Sequence, residues 1–573
     1  MNTKSHKKTN VLLCSVFGPF AQDDEFGSRL LKPMELCMSQ VNRLDGPFLP
    51  RYFQRTYSLA LIRENCGDNA DFTILDFARL ERFIQELQNH DYDVVGITGI
   101  VSNIVKVSKM CALVREHLPK AVLVVGGHVS NHPRIEELTR ADHIVKGDGV
   151  AWFRRFLGQD ENAPFRHPAL YSTFGMRVMG MRMPDRLERT AVLIPSVGCP
   201  MGCNFCCTSA MFGGKGKFLN FYKTGDELFA VMDDLEKKLG AQSFTVLDEN
   251  FLLHRRRALR LLELMEQHGK SWALSVFSSA RVLKSFDIEQ IVRLGISWVW
   301  MGIEGLTNQY KKLAGVDTRI LVRELQSHGI KVLGSTIIGL EDHTPENIDE
   351  VIAEAVAHDT VAHQFMLYSA GPGTPLYNEL LHNGTLRDDD KIDPADAHGQ
   401  FKFNHVHPHI RDGQETEYLV RAFGEDLRVN GPMLVRMART MLMGWQRYKN
   451  HPDPCIRKRF AEDATRLWVF SAPLLWAAQK WYRSDRPKAE SMREFLDELI
   501  SEFGMKARIT ASVLGPVFYG RARKEQKRLE EGWTYEPETI YEPAPGLGRI
   551  RRSLRRQPSG DVALLGRPPV HSA

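Results

Sequence analysis

Short apolar runs rich in β-branched residues alternate with amphipathic stretches along most of this chain, and this alternation limits the fold more than any other feature. Between residues 10 and 157, segments near 79 and 103 space apolar residues three and four apart, as helices do. The strand-like runs of this region begin at positions 11, 72, 94, 121 and 143. Near-continuous apolar strands joined by helices predict a parallel sheet covered on both faces, that is, a doubly wound domain.

A second alternation starts at Ala191, with strand-like runs at 191, 243, 272, 297, 331 and 363. Six β-then-α units in about 180 residues predict most of a barrel, with its site on the loops that follow the strands. The fold class we expect is therefore α/β, with a Rossmann-like doubly wound domain, a partial (β/α)6 TIM-type barrel and a mainly helical C-terminal region. The expected boundaries are 1–157 for the first domain, 158–189 for a linker with a short hairpin, 190–385 for the barrel, 386–535 for the helical region and 536–573 for a flexible basic tail.

Charge and hydropathy exclude some classes of function and bear on the cellular compartment. The net charge is only +5, from 75 basic and 70 acidic residues, so no nucleic-acid partner is expected. No run of about 18 apolar residues occurs, so no membrane span is expected. The first apolar run is broken by Gly18 and Pro19 and reads as a strand rather than as an export signal. We expect a cytoplasmic protein, in which clustered cysteines are metal-binding or catalytic more often than disulfide-bonded.

Three cysteines in the loop after the first barrel strand form a C-x3-C-x2-C motif, and they are Cys199, Cys203 and Cys206. Structural zinc sites need four ligands, commonly two C-x2-C pairs, and no second pair follows here. Iron–sulfur clusters are held by cysteine thiolates. Three protein ligands on a four-iron cluster leave one iron open to a small molecule, so the spacing favours a cluster of this kind over a zinc knuckle.

With Phe205 before its last cysteine, the motif resembles that of the radical S-adenosylmethionine (SAM) enzymes. The resemblance implies a [4Fe-4S] cluster on Cys199, Cys203 and Cys206. It also implies that the open iron chelates the amino and carboxylate groups of SAM, and that reduction of the cluster cleaves SAM to a 5′-deoxyadenosyl radical. The segment "SAGPGTPLY" at 369–377 resembles the end of the barrel in one large branch of this family.

The resemblance also assigns SAM contacts at the ends of the barrel strands. In "LDENF", Asp248 or Glu249 is expected to receive the ammonium of SAM, and either carboxylate could instead be a solvated turn residue. In "SSAR", Arg281 binds the carboxylate of SAM or pairs with a barrel acid. The predicted contacts are Phe205, Asp248, Glu249, Ser278, Arg281, Glu304, Ile337 and Gly339.

The first domain resembles the cobalamin-binding domain that precedes the barrel in that branch. The matching segments are "YDVVGITGI", "AVLVVGGHVS" and "HIVKGDGVAWF". The D-x-H-x-x-G motif of many cobalamin proteins is missing, so cobalt coordination by its histidine is not expected, and a domain that has lost the cofactor is a second possibility. The predicted cobalamin contacts are Thr98, Gly99, Ser102, Gly126, Gly127, His128, Gly147, Asp148 and Gly149.

The resemblance implies an enzyme that methylates an unactivated carbon of a small molecule with methylcobalamin, using an electron donor such as flavodoxin or ferredoxin. The alternatives are radical cyclisation, rearrangement or oxidation without methyl transfer, and a cobalamin or iron–sulfur sensor without turnover. Cys207 could replace Cys206 as ligand, act as an auxiliary thiol or pack as a small hydrophobe. The histidines at 398, 405, 407 and 409 are expected to be surface or substrate-pocket groups rather than a metal site.

Overall fold

The first domain contains a doubly wound parallel sheet, as predicted. The structure is a computed structural model that describes residues 8–16, 41–183, 189–305, 313, 315–387, 391–397, 399–531, 535 and 537–545. The strands up to residue 157 are β1 (Thr9–Ser15), β2 (Arg51–Phe53), β3 (Ala70–Asp76), β4 (Val94–Thr98), β5 (Val122–Gly126) and β6 (His143–Ile144). The helices are α1 (Tyr57–Cys66), α2 (Leu80–Asn89), α3 (Ile104–His117), α4 (Ile135–Thr139) and α5 (Gly149–Phe156).

The strand order of this sheet runs β3-β1-β4-β5-β6, with every one of these pairs parallel. The order reverses at β1, which lies between β3 and β4. Residues 11–14 of β1 are completely or almost completely buried, as a central strand covered by helices on both faces requires. Sheets of this type bind ligands beyond the carboxyl ends of the strands, where the order reverses.

The linker between the two domains contains the predicted hairpin. Strands β7 (Phe174–Val178) and β8 (Met181–Arg182) pair antiparallel, and β7 also pairs with β2. The linker therefore forms a small three-stranded sheet together with a segment that precedes α1 in the chain.

The second domain is an open barrel of six parallel strands, accompanied by a separate two-stranded antiparallel sheet. Its strands are β9 (Thr190–Leu193), β10 (Ser196–Val197), β11 (Leu219–Asn220), β12 (Ser243–Val246), β13 (Ala273–Phe277), β14 (Ile296–Glu304), β15 (Lys331–Ile338) and β16 (Ala362–Leu367). Its helices are α6 (Cys207–Met211), α7 (Gly225–Leu239), α8 (Arg255–Gln267), α9 (Ala280–Leu283), α10 (Ile288–Arg293), α11 (Thr318–Ser327), α12 (Ile348–Val356) and α13 (Pro375–His382). Six strands pair in parallel in the order β9-β12-β13-β14-β15-β16, so every predicted strand of the barrel is confirmed.

The C-terminal region is helical, as predicted. Its helices are α14 (Gln414–Asn430), α15 (Met433–Tyr448), α16 (Pro454–Arg466), α17 (Ala472–Trp481), α18 (Arg486–Phe503) and α19 (Met505–Glu530). Within the ranges that the structure describes, none of the helices is long and apolar enough to cross a membrane.

The expectation of a flexible tail from residue 536 is wrong for its first part. Strand β17 (Ile540–Glu542) pairs antiparallel with β3 and extends the sheet of the first domain. The Glu542 carboxylate accepts a hydrogen bond from Arg55 at 2.7 Å and pairs with Arg63, which ties the segment to α1 and the loop before it. Residues 546–573 lie outside the described residues.

Candidate functional site

A cavity of about 690 Å³ lies where the carboxyl ends of both parallel sheets meet. The first domain contributes the loops after β4 and β5, through residues 100–102, His128 and residues 131–133. The barrel contributes the ends of β14 and β15 and residues 366–372 at and after the end of β16. Loops of the two domains therefore face each other across the cavity, as a site shared by two ligands requires.

The loop with the three cysteines is shaped by glycines and by its own hydrogen bonds. Gly202 has φ +68°, and a Cβ atom there would lie 2.5 Å from the Cβ atom of Lys215. The backbone N–H of Cys206 donates to the carbonyl of Cys203 at 3.1 Å, and the Ser209 hydroxyl donates to the carbonyl of Cys199 at 2.8 Å. These contacts turn the loop back on itself and hold the three cysteines in one tight segment.

The thiols of this loop lie in each other's electrostatic field. Burial raises the pKa of Cys199 to about 11, and Cys206, Glu249 and Cys203 add to the shift. A thiol in this setting becomes a thiolate when a metal centre balances its charge. No three histidine, cysteine or acidic side chains of the described ranges converge on a single metal ion. Three thiols in one loop fit a four-iron cluster, which spreads its thiolate ligands over separate irons.

Cys207 begins α6 and lines the cavity, whereas Cys206 is the residue that precedes the helix. A Cβ atom on Gly371 would lie 2.0 Å from the Cys207 sulfur, so this thiol packs directly against the backbone of the "GPGTPLY" segment. Burial raises the pKa of Cys207 to about 11. These contacts fit the packing interpretation of Cys207.

The two acids of "LDENF" have different environments. The Asp248 carboxylate forms a buried ion pair with Arg257, and both side chains are almost completely inaccessible to solvent. The charge of Asp248 is therefore already balanced within the protein. The Glu249 side chain is exposed to solvent on one side. Desolvation by the surrounding protein, together with the charge of Asp248, raises the pKa of Glu249 to about 6. Of the two candidates, Glu249 is the carboxylate that remains available to an ammonium.

Asn250 is a site residue that sequence reasoning missed. It is 4% exposed and joins the ends of β12 and β13. Its amide oxygen accepts hydrogen bonds from the Ser278 hydroxyl and the Ser279 backbone N–H, both at 3.2 Å, and its amide nitrogen donates to the Ser279 hydroxyl at 3.3 Å. The loop after β13 is therefore fixed to the loop that carries Glu249, and Ser278 serves this connection.

Glu304 lies at the end of β14 on the cavity wall, with an exposure of only 3%. Its φ is +67°, and the pairing of β14 with β15 shifts register between Gly302 and Glu304. A non-glycine residue in this conformation costs on the order of 1–3 kcal/mol, and such strain concentrates at functional sites. The bulge sets the direction in which Glu304 leaves the strand.

The predicted SAM contacts Ile337 and Gly339 lie at the end of β15 and directly after it. Ile337 lines the cavity, and Gly339 has φ +82°. A Cβ atom on Gly339 would lie 2.2 Å from the ring of Phe403, so only glycine fits there. Phe205 lines the same cavity and packs edge-on against Tyr368, with ring centroids 6.0 Å apart. Arg281 is exposed at the start of α9 and does not line the cavity. The other predicted cluster and SAM residues outside the cavity lining are Cys199, Cys203, Cys206, Asp248, Glu249, Ser278 and Gly339.

The first domain presents backbone beside the cavity at the ends of β4 and β5. Gly127 has φ +81°, and a Cβ atom there would lie 2.4 Å from the Thr98 hydroxyl and 2.8 Å from the Gly99 carbonyl. Ser102 and His128 line the cavity, and burial lowers the pKa of His128. The close approach of the two strand ends therefore depends on the absence of a side chain at position 127.

Of the predicted cobalamin contacts only Ser102 and His128 line the cavity, and four others shape turns near it. Asp148 caps α5, because its carboxylate accepts a hydrogen bond from the Ala151 N–H at 3.0 Å. Gly147 has φ +80°, and a Cβ atom there would lie 3.7 Å from the carbonyl of Met211 in α6. For Gly126 and Gly149, the nearest contact of a Cβ atom would be an ordinary 3.7 Å. In the described structure these four residues shape the turns beside the cavity.

The histidine-rich loop is not assembled as a metal site among the residues that the structure describes. His407 donates to the carbonyl of Leu340 at 3.1 Å through one ring nitrogen, and it accepts from the N–H groups of His409 and Ile410 through the other. His405 is buried, with a pKa lowered to about 4. His398 lies outside the described residues.

Comparison with protein families matches both domains. Residues 56–157 match the B12 binding domain, and residues 193–355 match the radical SAM superfamily. The two matched segments contain most of the strand-end loops that line the cavity. The cofactors of this chain are therefore a [4Fe-4S] cluster, SAM and cobalamin.

Individual relatives match more than half of this chain. An uncharacterised methyltransferase of Pyrococcus horikoshii is 24% identical over 400 residues, which is 62% of this chain and 83% of that protein. An anaerobic magnesium-protoporphyrin IX monomethyl ester cyclase of Cereibacter sphaeroides is 23% identical over 349 residues, 53% of this chain and 56% of that protein. The solved structure of the radical SAM methyltransferase TsrM of Kitasatospora setae, with cobalamin and a [4Fe-4S] cluster, shares the fold. It aligns with a TM-score of 0.51 and 15% identity over 80% of this chain and all of that one.

Proposed function

We propose that this chain, a radical SAM enzyme with a B12-binding domain, methylates an unactivated carbon of a small-molecule substrate. The observation that carries the proposal is the shared cavity, which the strand-end loops of both domains line. Methyl transfer to a carbon radical needs the methyl donor and the radical source within reach of one substrate atom. A cavity between the two cofactor-binding domains provides that arrangement.

The residues present fit the cluster and SAM. Cys199, Cys203 and Cys206 would hold the cluster, since they are the closely spaced thiols of one folded loop. Glu249 would receive the ammonium of SAM, because the other acid of its segment is already paired with Arg257. Glu304 would accept hydrogen bonds from SAM at the end of β14, and Ile337 would pack against its apolar parts.

The residues of the first domain fit a large planar ligand such as cobalamin. At the ends of β4 and β5 the backbone of Gly127 packs closely against Thr98 and Gly99, and Ser102 and His128 beside them contribute polar groups to the cavity wall. When bound, the cluster with SAM supplies a hydrogen-abstracting radical and cobalamin supplies the methyl group. The protein itself binds and orients these groups and keeps water away from them.

The reductive step needs an external electron donor. A small flavodoxin or ferredoxin would serve, since both deliver single electrons at low potential. The exchange of one such donor for a chemical reductant should leave the products unchanged, whereas omission of every reductant should stop SAM cleavage.

The second candidate function is a radical reaction without methyl transfer, such as ring formation. The similarity to the cyclase of Cereibacter sphaeroides supports this second candidate, because that relative matches 53% of this chain. The two candidates share every cofactor and differ only in whether the methyl group reaches the product.

Anaerobic turnover with SAM that carries a deuterated methyl group separates the candidates. The reconstituted full chain is incubated with reductant and a small-molecule extract of the host cells, and the products are analysed by mass spectrometry. Label in a new product supports methylation. An unlabelled new product with 5′-deoxyadenosine supports the second candidate, and the absence of reductant-dependent 5′-deoxyadenosine contradicts both and supports a sensor.

A further inference from the structure

Helix α19 carries an apolar stripe on its outer face. Met505, Ile509, Val513 and Val517 follow each other at intervals of four residues, so they lie along one side of the helix. Their exposures are 62%, 54%, 63% and 51%, and Met505 and Val513 are the most exposed large hydrophobic residues of the described structure. Pro516 is exposed between the last two. Contiguous apolar surface of this kind marks an interaction site, whereas single exposed apolar residues do not.

The inner face of α19 explains why the stripe cannot turn inward. Ala507, Ala511 and Phe518 are buried in the core of the helical region, and a Cβ atom on Gly515 would lie 2.6 Å from the ring of Trp476. The helix is therefore fixed against α17, with its apolar stripe facing solvent. The exposure is a property of the packed structure and not of a loosely attached helix.

The charged residues of α19 itself along the stripe are of one sign. Between residues 505 and 524 no acidic residue occurs. The exposed charged side chains of this range are Lys506, Arg508, Arg521, Arg523 and Lys524. None of the five forms an ion pair with another described residue, whereas most other cations near α18 and α19 are paired with carboxylates. An apolar stripe with unpaired cations at both ends complements an anionic surface.

An aromatic side chain extends this surface. Lys506 lies over the ring of Trp468 at 5.7 Å, and the Thr510 hydroxyl donates to the Trp468 carbonyl at 2.5 Å. Val469, next in the chain, is 40% exposed. Tryptophan and lysine with apolar neighbours are the side chains that occupy the boundary between water and lipid.

We propose that this face of α19 binds the surface of a membrane that contains anionic lipids. The helix has 26 residues and is about 39 Å long, so it can lie flat with its stripe among the acyl chains and its cations among the headgroups. A second copy of the chain is a poorer occupant. In a two-fold contact across the stripe, parallel or antiparallel, the cations of one copy would meet those of the other without any acid between them.

Vesicle flotation of the full chain tests this proposal. The vesicles consist of phosphatidylcholine alone or of phosphatidylcholine mixed with phosphatidylglycerol. We expect binding to the mixed vesicles only, weaker at high salt because the cations are exposed. The double variant I509E/V513E should bind at least about tenfold more weakly, since it replaces two membrane-facing apolar side chains by charges.

The matched control is I320E/L381E, which makes the same change at two residues with similar exposure, 51% and 57%, on α11 and α13. This control should bind the mixed vesicles as the unchanged chain does. Equal loss in both double variants, unchanged binding of I509E/V513E, or no binding to either vesicle would overturn the proposal. A concentration-dependent dimer that I509E/V513E abolishes would also overturn it, in favour of a second copy on the stripe.

Discussion

The strand ends of the two parallel sheets open on the same cavity, but they are built from different groups. At the end of the first sheet, the backbone of Gly127 packs closely against Thr98 and Gly99. The shape of these two loops therefore depends on glycine at position 127. In the loops that follow the barrel strands, the candidate ligands are thiols and carboxylates. Glu304 lines the cavity itself, whereas the three cysteines and Glu249 lie in loops outside the cavity lining. The first sheet is therefore suited to hold a large ligand, whereas the barrel is suited to bind charged and metal-containing groups.

Removal of one barrel thiol should abolish the iron site and leave the corrin site intact. In Cys203→Ala we expect the iron content of the reconstituted chain to fall from about four per chain to near zero, with corrin content unchanged. The measurement is iron and corrin quantitation on the same sample. Cys207→Ala is the matched control and should keep its iron. Loss of iron in Cys207→Ala with retention in Cys203→Ala would show that the ligand register is different.

A second test concerns the buried charge beneath the barrel site. Arg257→Leu leaves Asp248 buried without its partner, so we expect the free energy of unfolding to fall by about 3–5 kcal/mol. Arg260 lies on the same helix but pairs with Asp226 and Glu263 at the surface. Arg260→Leu should therefore cost less than about 1 kcal/mol. Similar losses in denaturant unfolding of the two variants would contradict the role of the Asp248–Arg257 pair.

The glycine cradle of the first sheet gives a third test. Gly127→Ala forces a side chain into positive φ and against the Thr98 hydroxyl, at a combined cost of about 2–4 kcal/mol. We expect corrin binding to weaken at least about tenfold, with iron content unchanged. Gly126→Ala is the control, because its nearest contact would be 3.7 Å. If the two variants bind corrin equally well, the cradle is not the cobalamin surface.

Four histidines around the barrel should make the stability of the fold depend on pH. His167, His343, His363 and His405, around the barrel, have pKa values lowered to about 4, 4, 3 and 4, chiefly by burial. Below a pH of about 6.5 the unfolded chain binds protons that these folded imidazoles do not, so stability falls as the pH falls from about 6.5 to about 4. Each histidine contributes a slope of up to about 1.4 kcal/mol per pH unit.

The variant His363→Asn measures the contribution of one histidine to this pH dependence of stability. The ring of His363 is fully buried and bonds Thr336 at 2.9 Å and Thr360 at 3.2 Å. The variant should lose stability at neutral pH, yet its stability should decline less steeply on acidification, by up to about 1.4 kcal/mol per pH unit. Unfolding curves at several pH values measure this slope. An identical slope in both proteins would mean that His363 titrates normally in the fold.

The strands of both sheets could be predicted from sequence because each forms an apolar run of β-branched residues between helical patterns. The iron–sulfur cluster could also be predicted from sequence, because its three candidate cysteine ligands lie within eight positions of each other. The pairing of Asp248 could not be predicted, since Arg257 lies on the following helix and its direction depends on packing. Asn250 had no recognisable pattern, and β17 is a three-residue strand whose partner, β3, comes from the opposite end of the chain. Contacts of this range depend on the tertiary structure rather than on local sequence.

We expect one chain to bind two cofactors, a four-iron cluster at the ends of the barrel strands and cobalamin at the strand ends of the first domain. Anaerobic reconstitution of the full chain with iron, sulfide and methylcobalamin, followed by quantitation of iron, sulfide and corrin in one sample, tests it most directly. The expected result is about four irons and about one corrin per chain, bound together. Four irons without corrin, corrin without iron, or a single zinc ion in place of the cluster would contradict the claim.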